Sequence, residues 1–250
     1  MALQISPSFL RAHDEAALLQ RMPFYRLLRH HHSRRALRRH HGYVVREPSA
    51  ILRAAKRLLD VSASAFGLLF FAPLFIGIAL AIKATSRGPV LFRQKRYGYH
   101  NRRFWILKFR TMYVHLGDSR GTRQATNEDP RVTPIGRILR KTSLDELPQL
   151  INVLTGDMSL VGPRPHVPGM LAGGLLYENL VPYYFQRHNM KPGITGLAQV
   201  SGYRGSTAAP LSAVERLDRD LRYIETWSLW LDLRIIARTI VRELAGGSGH

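Results

Sequence analysis

The sequence predicts a membrane-associated α/β protein, mostly helical, with one small β-hairpin. Three observations lead there. Residues 61–82 form a run of 22 positions without a charge, long enough to reach across a hydrocarbon core. Two short apolar runs, Val90-Leu91-Phe92 and Phe104-Trp105-Ile106-Leu107, flank the turn-rich Tyr97-Gly98-Tyr99-His100-Asn101, which is the pattern of a hairpin. Downstream, apolar residues recur at helical spacing over residues 147–154 and 211–244.

Taken in chain order, residues 1–50 form a separate basic N-terminal arm. Residues 9–28 suit an amphipathic helix, or two shorter ones divided at Pro23. Residues 29–41 are dense in Arg and His, including His30-His31-His32 and His40-His41. A metal site or a pH sensor is one reading. A basic arm lying on lipid headgroups is the favoured one, because no carboxylate or further ligand stands at fixed spacing. The arm is not a signal peptide, since its apolar residues are scattered and acids intervene. Lys56-Arg57 then precede the uncharged run, and Lys83 and Arg87 close it. Pro73, in Phe71-Ala72-Pro73-Leu74, removes one backbone bond mid-segment and predicts a kinked membrane helix with its break at Ala72 and Pro73.

After the hairpin, residues 118–131 read as a polar loop, and residues 135–140 as a helix leading into Arg140-Lys141-Thr142-Ser143-Leu144-Asp145-Glu146-Leu147-Pro148. Pro148 suits only the first turn of a helix. Leu147, Leu150, Ile151 and Leu154 mark one apolar face of that helix, and Thr155-Gly156 ends it. Asp145 and Glu146 would then sit at the positive end of a helix dipole, near Arg140 and Lys141. A carboxylate held there stays ionised and can serve as a nucleophile or a metal ligand. The competing reading is a capping box between Ser143 and Glu146, with Asp145 as a favourable first-turn acid. On spacing alone that reading carries more weight, because capping acids are far commoner than catalytic ones.

Gly162-Pro163-Arg164-Pro165 is a rigid turn whose two prolines fix the backbone on either side of an arginine. A preorganised arginine suits phosphate binding. Tyr177, Tyr183, Tyr184 and Phe185 are expected in the core before an interface. Residues 192–200 are glycine-rich without P-loop or dinucleotide spacing, and are given a shaping role around the substrate. Residues 211–244 are helical, with Tyr223, Trp227, Trp230, Leu231, Leu233, Ile235 and Ile236 interleaved with Arg. A core helix and an interfacial amphipathic helix carry equal weight there. Residues 246–250 read as a flexible tail.

Composition narrows the function classes. Cysteine is absent, which excludes disulfides, thiolate metal sites and cysteine catalysis. A formal charge of +20 and a pI near 11.2 point to polyanionic partners. Nucleic acid is the first candidate for such a chain. It is set aside because the basic residues are spread out, no zinc-finger, helix-turn-helix or RNA-recognition signature is present, and the apolar run has no place in a simple nucleic-acid binder. Anionic lipid accounts for the charge and the apolar run together.

Seven blocks together resemble the bacterial sugar transferase family, the monotopic phosphoglycosyl transferases. They are Lys56-Arg57-Leu58-Leu59-Asp60, residues 88–96, Lys108-Phe109-Arg110-Thr111-Met112, Thr133-Pro134-Ile135-Gly136-Arg137, the Asp-Glu stretch, residues 156–165 and residues 191–200. They stand in family order and cover residues 52–242. The resemblance implies a reaction: a sugar 1-phosphate moves from a nucleotide diphosphate sugar to a polyprenyl phosphate, releasing the nucleoside monophosphate. Carried over by position, Asp145 is the nucleophile that forms a phosphosugar–aspartyl intermediate. Glu146 completes the dyad and helps hold Mg2+, with Asp157 a further candidate metal ligand. Arg140 and Arg164 match arginines that bind phosphate. Lys108 and Arg110 fall in a block expected near the site, and Lys141 is counted with these cations. Because every reactant is anionic, Mg2+ and arginine forks are expected parts.

The resemblance also implies that the membrane segment, residues 51–87, is a re-entrant helix-break-helix entering and leaving on one face. Basic flanks at both ends agree with that. The family often has Ser before the proline, and Ala72 lacks the hydroxyl that would satisfy a freed carbonyl. Residues 88–245 would form the catalytic domain on the cytoplasmic face of a bacterial inner membrane. Ser201-Gly202-Tyr203-Arg204-Gly205 resembles the longer members that handle hexoses, so a UDP-hexose and undecaprenyl phosphate are the expected substrates, in exopolysaccharide or other glycoconjugate synthesis. Anionic lipids and a homodimer are the other candidate partners. The alternatives are a direct-transfer enzyme with a spanning helix, and a basic membrane-surface scaffold that binds anionic polymers. A glycoside hydrolase fits poorly, since adjacent carboxylates do not flank a sugar as a separated pair does.

Overall fold

Ser49 starts the first described helix in the computed structural model of the chain, which describes residues 48–117, 129–172, 175–181, 183–203 and 210–245. The basic arm up to residue 47, the polar loop over 118–128, Arg204-Gly205 and the tail lie outside the described residues. The Ser49 side chain accepts the Leu52 N–H at 3.3 Å and caps α1 (Ala50–Phe70). A second helix, α2 (Ala72–Thr85), follows at a bend of 60°. The break is at Phe71 (φ −89°, ψ 7°) rather than at Ala72 and Pro73. Pro73 lies in the first turn of α2, where its missing N–H would have had no helical partner. Phe71 still donates to Gly67 O and Phe75 to Phe71 O, each at 2.9 Å, so the bend forms without a hydroxyl at position 72. Among the described residues no single helix is long and apolar enough to cross a membrane, whereas the bent pair together meets that length and composition.

The hairpin is longer than its apolar runs. Strands β1 (Leu91–Tyr97) and β2 (Arg103–Phe109) pair antiparallel from Leu91↔Phe109 to Tyr97↔Arg103. Their turn places His100 and Asn101 at φ 50° and 63°, in the left-handed region. Helix α3 (Pro134–Lys141) is capped by Thr133, whose hydroxyl accepts the Gly136 N–H at 3.0 Å. A side chain at Gly136 would meet Thr111 O at 2.1 Å, so only glycine lets α3 sit on the exit of β2. A 3-10 turn (Leu144–Glu146) leads to α4 (Gln149–Thr155), closed by Gly156 at φ 92°.

Strand β3 (Ser159–Val161) pairs in parallel with β6 (Gly193–Thr195); between them come the short pair β4 (Leu171–Ala172) and β5 (Leu175–Leu176) and two 3-10 turns. Tyr177, Tyr183 and Tyr184 on this stretch are buried, while Phe185 is exposed. After α5 (Leu197–Val200), residues 211–244 form two helices rather than one: α6 (Pro210–Glu225) and α7 (Leu229–Leu244). Ser228 divides them by accepting the Leu231 N–H at 3.1 Å, a helix start hidden inside an unbroken period. The two helices give opposite answers on burial. Helix α6 buries Leu217, Leu221 and Tyr223, whereas α7 leaves Trp230, Leu233, Ile240 and Val241 exposed.

The architecture is therefore mostly helical with a small antiparallel hairpin. Ile78 and Ile82 of α2 share a core cluster with Phe109 and Leu139, against which Leu144 and Leu147 pack. That places the 3-10 turn between α2 and α3 and fixes the direction of its two acids. Ile106, Val153 and Met158 form a second cluster, tying β2 to α4.

Candidate active site

Ser143 leaves α3 at φ 58°, and its side chain makes no capping hydrogen bond. The capping box is thus not formed. Glu146 instead turns its carboxylate towards the hairpin and the Gly162–Pro165 turn. Lys108 donates to Glu146 Oε1 at 2.6 Å, and Arg164 grips both oxygens, Oε1 at 2.7 Å and Oε2 at 3.2 Å. Burial raises the Glu146 pKa, but Arg164 and Lys108 win and hold the carboxyl well below the usual glutamate range.

Asp145 is in the opposite state. Its side chain keeps 13% exposure, and Lys108 Nζ stands 3.9 Å from its Oδ2. Burial pushes the Asp145 carboxyl up, Lys108 pulls it down, Glu146 pushes it up again, and Arg140 and Arg164 oppose from further off. The balance lies above the ordinary aspartate value. Burial and the neighbouring charges, rather than a helix dipole, are what shift it. Asp145 stands in the 3-10 turn, before Pro148 and α4, and the field of its neighbours decides its charge. The pair divides its work: Glu146 is a buried, charged hub, and Asp145 is the partly exposed carboxyl that holds its proton more tightly than an ordinary aspartate. Such splitting of two adjacent acids is characteristic of catalytic sites.

The other expected site residues divide. Lys108 and Arg164 belong to the cluster, and Arg140 acts on it through its charge. Lys141 is exposed on the last turn of α3 and makes no ion pair with either acid among the described residues. Arg110 is not part of the cluster. It is buried and directs its guanidinium to Arg87 O, to Ser86 O at 2.8 Å and to Ser86 Oγ at 3.0 Å, closing the end of α2. Along a strand, Lys108 and Arg110 ought to share a face, but β2 ends at Phe109, so the alternation stops between them. Asp157 is exposed, and its Oδ2 accepts from the Thr155 hydroxyl at 3.0 Å. Among the described residues no three His, Asp or Glu side chains stand close enough to share a metal ion. Among the described residues, Asp145 and Glu146 are the carboxylates a divalent ion would find here.

A mostly buried aspartate beside a glutamate locked by lysine and arginine is the geometry seen, and the comparisons place it in a lineage. The family profile described as "Bacterial sugar transferase" matches residues 51–246. The chain belongs to the bacterial sugar transferase family. It is 52% identical over 194 residues to the exopolysaccharide production protein PSS of Rhizobium leguminosarum bv. phaseoli, covering 78% of this chain and 97% of that protein. It is 52% identical over 189 residues to the undecaprenyl-phosphate glucose phosphotransferase of Komagataeibacter xylinus, covering 76% of this chain and 36% of that protein. It is 47% identical over 202 residues to the UDP-glucose:undecaprenyl-phosphate glucose-1-phosphate transferase of Escherichia coli K12, covering 81% and 43%. The chain thus spans less than half the length of the last two.

In this sugar transferase the sequence alone did not disclose what Lys56, Arg57 and Asp60 do. They ride on α1 just before the uncharged run and fasten it to the site's scaffold. Arg57 donates to Val153 O at 2.6 Å and Leu154 O at 2.7 Å, carbonyls of the last turn of α4, where a cation also meets the negative end of the helix. Asp60 accepts from Ser159 Oγ at 3.0 Å and Leu160 N–H at 2.9 Å. Lys56 pairs with the fully buried Asp232 of α7 at 2.6 Å, and Asp232 also accepts from Tyr223 at 2.7 Å and Trp227 at 3.2 Å. The available signal was three charges at i, i+1 and i+4 ahead of an apolar segment, one helical face that has to find partners.

Proposed function

We propose that this chain moves a hexose 1-phosphate, with glucose 1-phosphate the first candidate, from a UDP-sugar to undecaprenyl phosphate and releases UMP, as a step of exopolysaccharide or related glycoconjugate synthesis. The observation that carries the reading is the division of labour between Asp145 and Glu146. Asp145 Oδ attacks the sugar-bearing phosphorus, the bond to the UMP oxygen breaks, and UMP departs with that electron pair. An acceptor phosphate oxygen then attacks the same phosphorus and returns the carboxylate of Asp145. Lys108 and Arg164 supply positive charge beside the reacting phosphates, and Glu146 holds both cations in place. Relatives named for UDP-glucose and undecaprenyl phosphate support the choice of substrates.

Two carboxylates and a set of phosphate-directed cations suit Mg2+, which takes few protein ligands and completes its shell with water and substrate oxygens. Asp145 and the remaining lone pairs of Glu146 would hold it, and it would neutralise the diphosphate. The bent pair α1–α2 is read as a re-entrant membrane segment on the cytoplasmic face of the inner membrane. Its exposed Phe66, Leu69, Phe70, Ile76 and Leu80 support that reading, as does the exposed Trp230, Leu233, Ile240 and Val241 surface of α7 lying on anionic lipid.

The test is UMP release from a panel of UDP-sugars with undecaprenyl phosphate and Mg2+, beside Asp145→Asn. Release with one sugar, reduced about 1,000-fold or more by the substitution, is expected. Release that survives Asp145→Asn would overturn the aspartyl intermediate. No release with any donor would overturn the reaction.

A further inference from the structure

Three consecutive carbonyls of the turn that presents Arg164 are held from outside it. Arg187 Nη2 donates to Arg164 O at 2.6 Å, Arg96 Nη1 to Pro165 O at 3.2 Å, and the Tyr97 N–H to His166 O at 3.1 Å. Arg187 is the most deeply placed of the three. It is 1% exposed, pairs with Asp220 of α6, itself 1% exposed, and lies 5.7 Å over the Tyr184 ring. Two of its guanidinium nitrogens, Nε and Nη1, have no hydrogen-bond partner among the described residues. Stability alone does not explain this arrangement. A buried ion pair gains little over apolar side chains of the same volume, and each unpaired buried donor adds a penalty. What the arrangement does provide is geometry: a fixed line from α6 through Asp220 and Arg187 to the backbone of the residue that grips Glu146.

We propose that Arg187 and Asp220 are positioning residues of the transferase, setting the Arg164 backbone so that its guanidinium meets Glu146 and the substrate phosphate. The inference rests on the reading of the reaction above. Neither residue touches the reacting atoms, so both act through Arg164. Both contacts are made by Nη2, so Arg187→Lys keeps the charge but, on a shorter side chain, does not bring its nitrogen to the point where Nη2 meets Asp220 and Arg164 O together. Asp220→Asn keeps the shape and removes the charge that orients Arg187.

The experiment is a double-mutant cycle on UMP release with a radiolabelled donor, which keeps residual rates measurable. Arg187→Lys should lower kcat/KM by about tenfold or more in the wild-type background and by less than about twofold in Arg164→Ala, because the side chain it positions is gone. Asp220→Asn should behave alike. Tyr177→Phe removes an equally buried hydrogen bond nearby, the one to Ala213 O at 2.7 Å, and should lower Tm without changing kcat. Equal losses in both backgrounds, or a loss of kcat in Tyr177→Phe matching that in Arg187→Lys, would overturn the proposal. If Arg187→Lys does not fold, Asp220→Glu takes its place in the cycle. If the wild type releases no UMP, the reaction reading fails by itself. The same cycle read on UDP binding then decides the positioning role: coupling to Arg164 supports it and additivity overturns it.

Discussion

Asp145 is under opposed electrostatic pressures, and these give two predictions at the residue scale. Its folded pKa lies above the unfolded value near 3.8, so the folded state holds that proton more tightly than the unfolded chain does. The charged form therefore opposes folding at every pH above that range, and the penalty disappears below it. Asp145→Asn should abolish turnover and raise Tm at neutral pH, by roughly 2–4 °C for each kcal/mol relieved, as differential scanning calorimetry would read. Glu146 works the other way. Its depressed pKa stabilises the fold above the unfolded value near 4.5, and that contribution is lost as pH falls through the folded value. The second prediction concerns rate. Lys108 is the strongest influence holding Asp145 down, so Lys108→Met should move the acid limb of the kcat/KM profile to higher pH. An acid limb that stays in place would assign it to another group. The candidate acids were legible in sequence from their place between Arg140-Lys141 and Pro148. Their unequal charge was not, because Lys108 and Arg164 reach Glu146 from 38 and 18 positions away.

Among the elements, the foot of α1 matters most. Lys56, Arg57 and Asp60 join it to α7, α4 and β3, so the segment read as membrane-embedded is continuous with the scaffold under Glu146. Lys56→Met would leave Asp232 buried with its charge unpaired, a loss of roughly 3–5 kcal/mol, seen as a fall in Tm of roughly 10 °C. The parallel pair β3–β6 is equally exacting. A side chain at Gly193 would lie 2.1 Å from Gly162 N, so Gly193→Ala should cost roughly 1–3 kcal/mol or more and reduce the folded yield. The hairpin and the dyad helix were readable locally, since turn residues and a 3.6 period are properties of adjacent positions. The division of α6 from α7 escaped because Ser228 caps a helix inside a period that runs through it unbroken.

For the whole molecule, the proposal that the bent pair is a re-entrant membrane segment makes a prediction about its two ends. The chain has no cysteine, so Ser49→Cys and Arg87→Cys each supply a single label site. A re-entrant segment predicts that an impermeant thiol reagent reaches both from the same side of sealed vesicles, whereas labelling from opposite sides would establish a spanning helix. The sequence by itself determined the family blocks, the apolar run, the hairpin, the adjacent acids and the arginine turn, because each is written in neighbouring residues. Tertiary structure alone decided that the break is at Phe71, that Arg110 serves α2 and not the acids, that Asp157 stands apart, and that Glu146 is locked while Asp145 is left partly open. Those outcomes depend on distances between residues far apart in the chain and on how burial and charge compete once they meet, which no local pattern encodes.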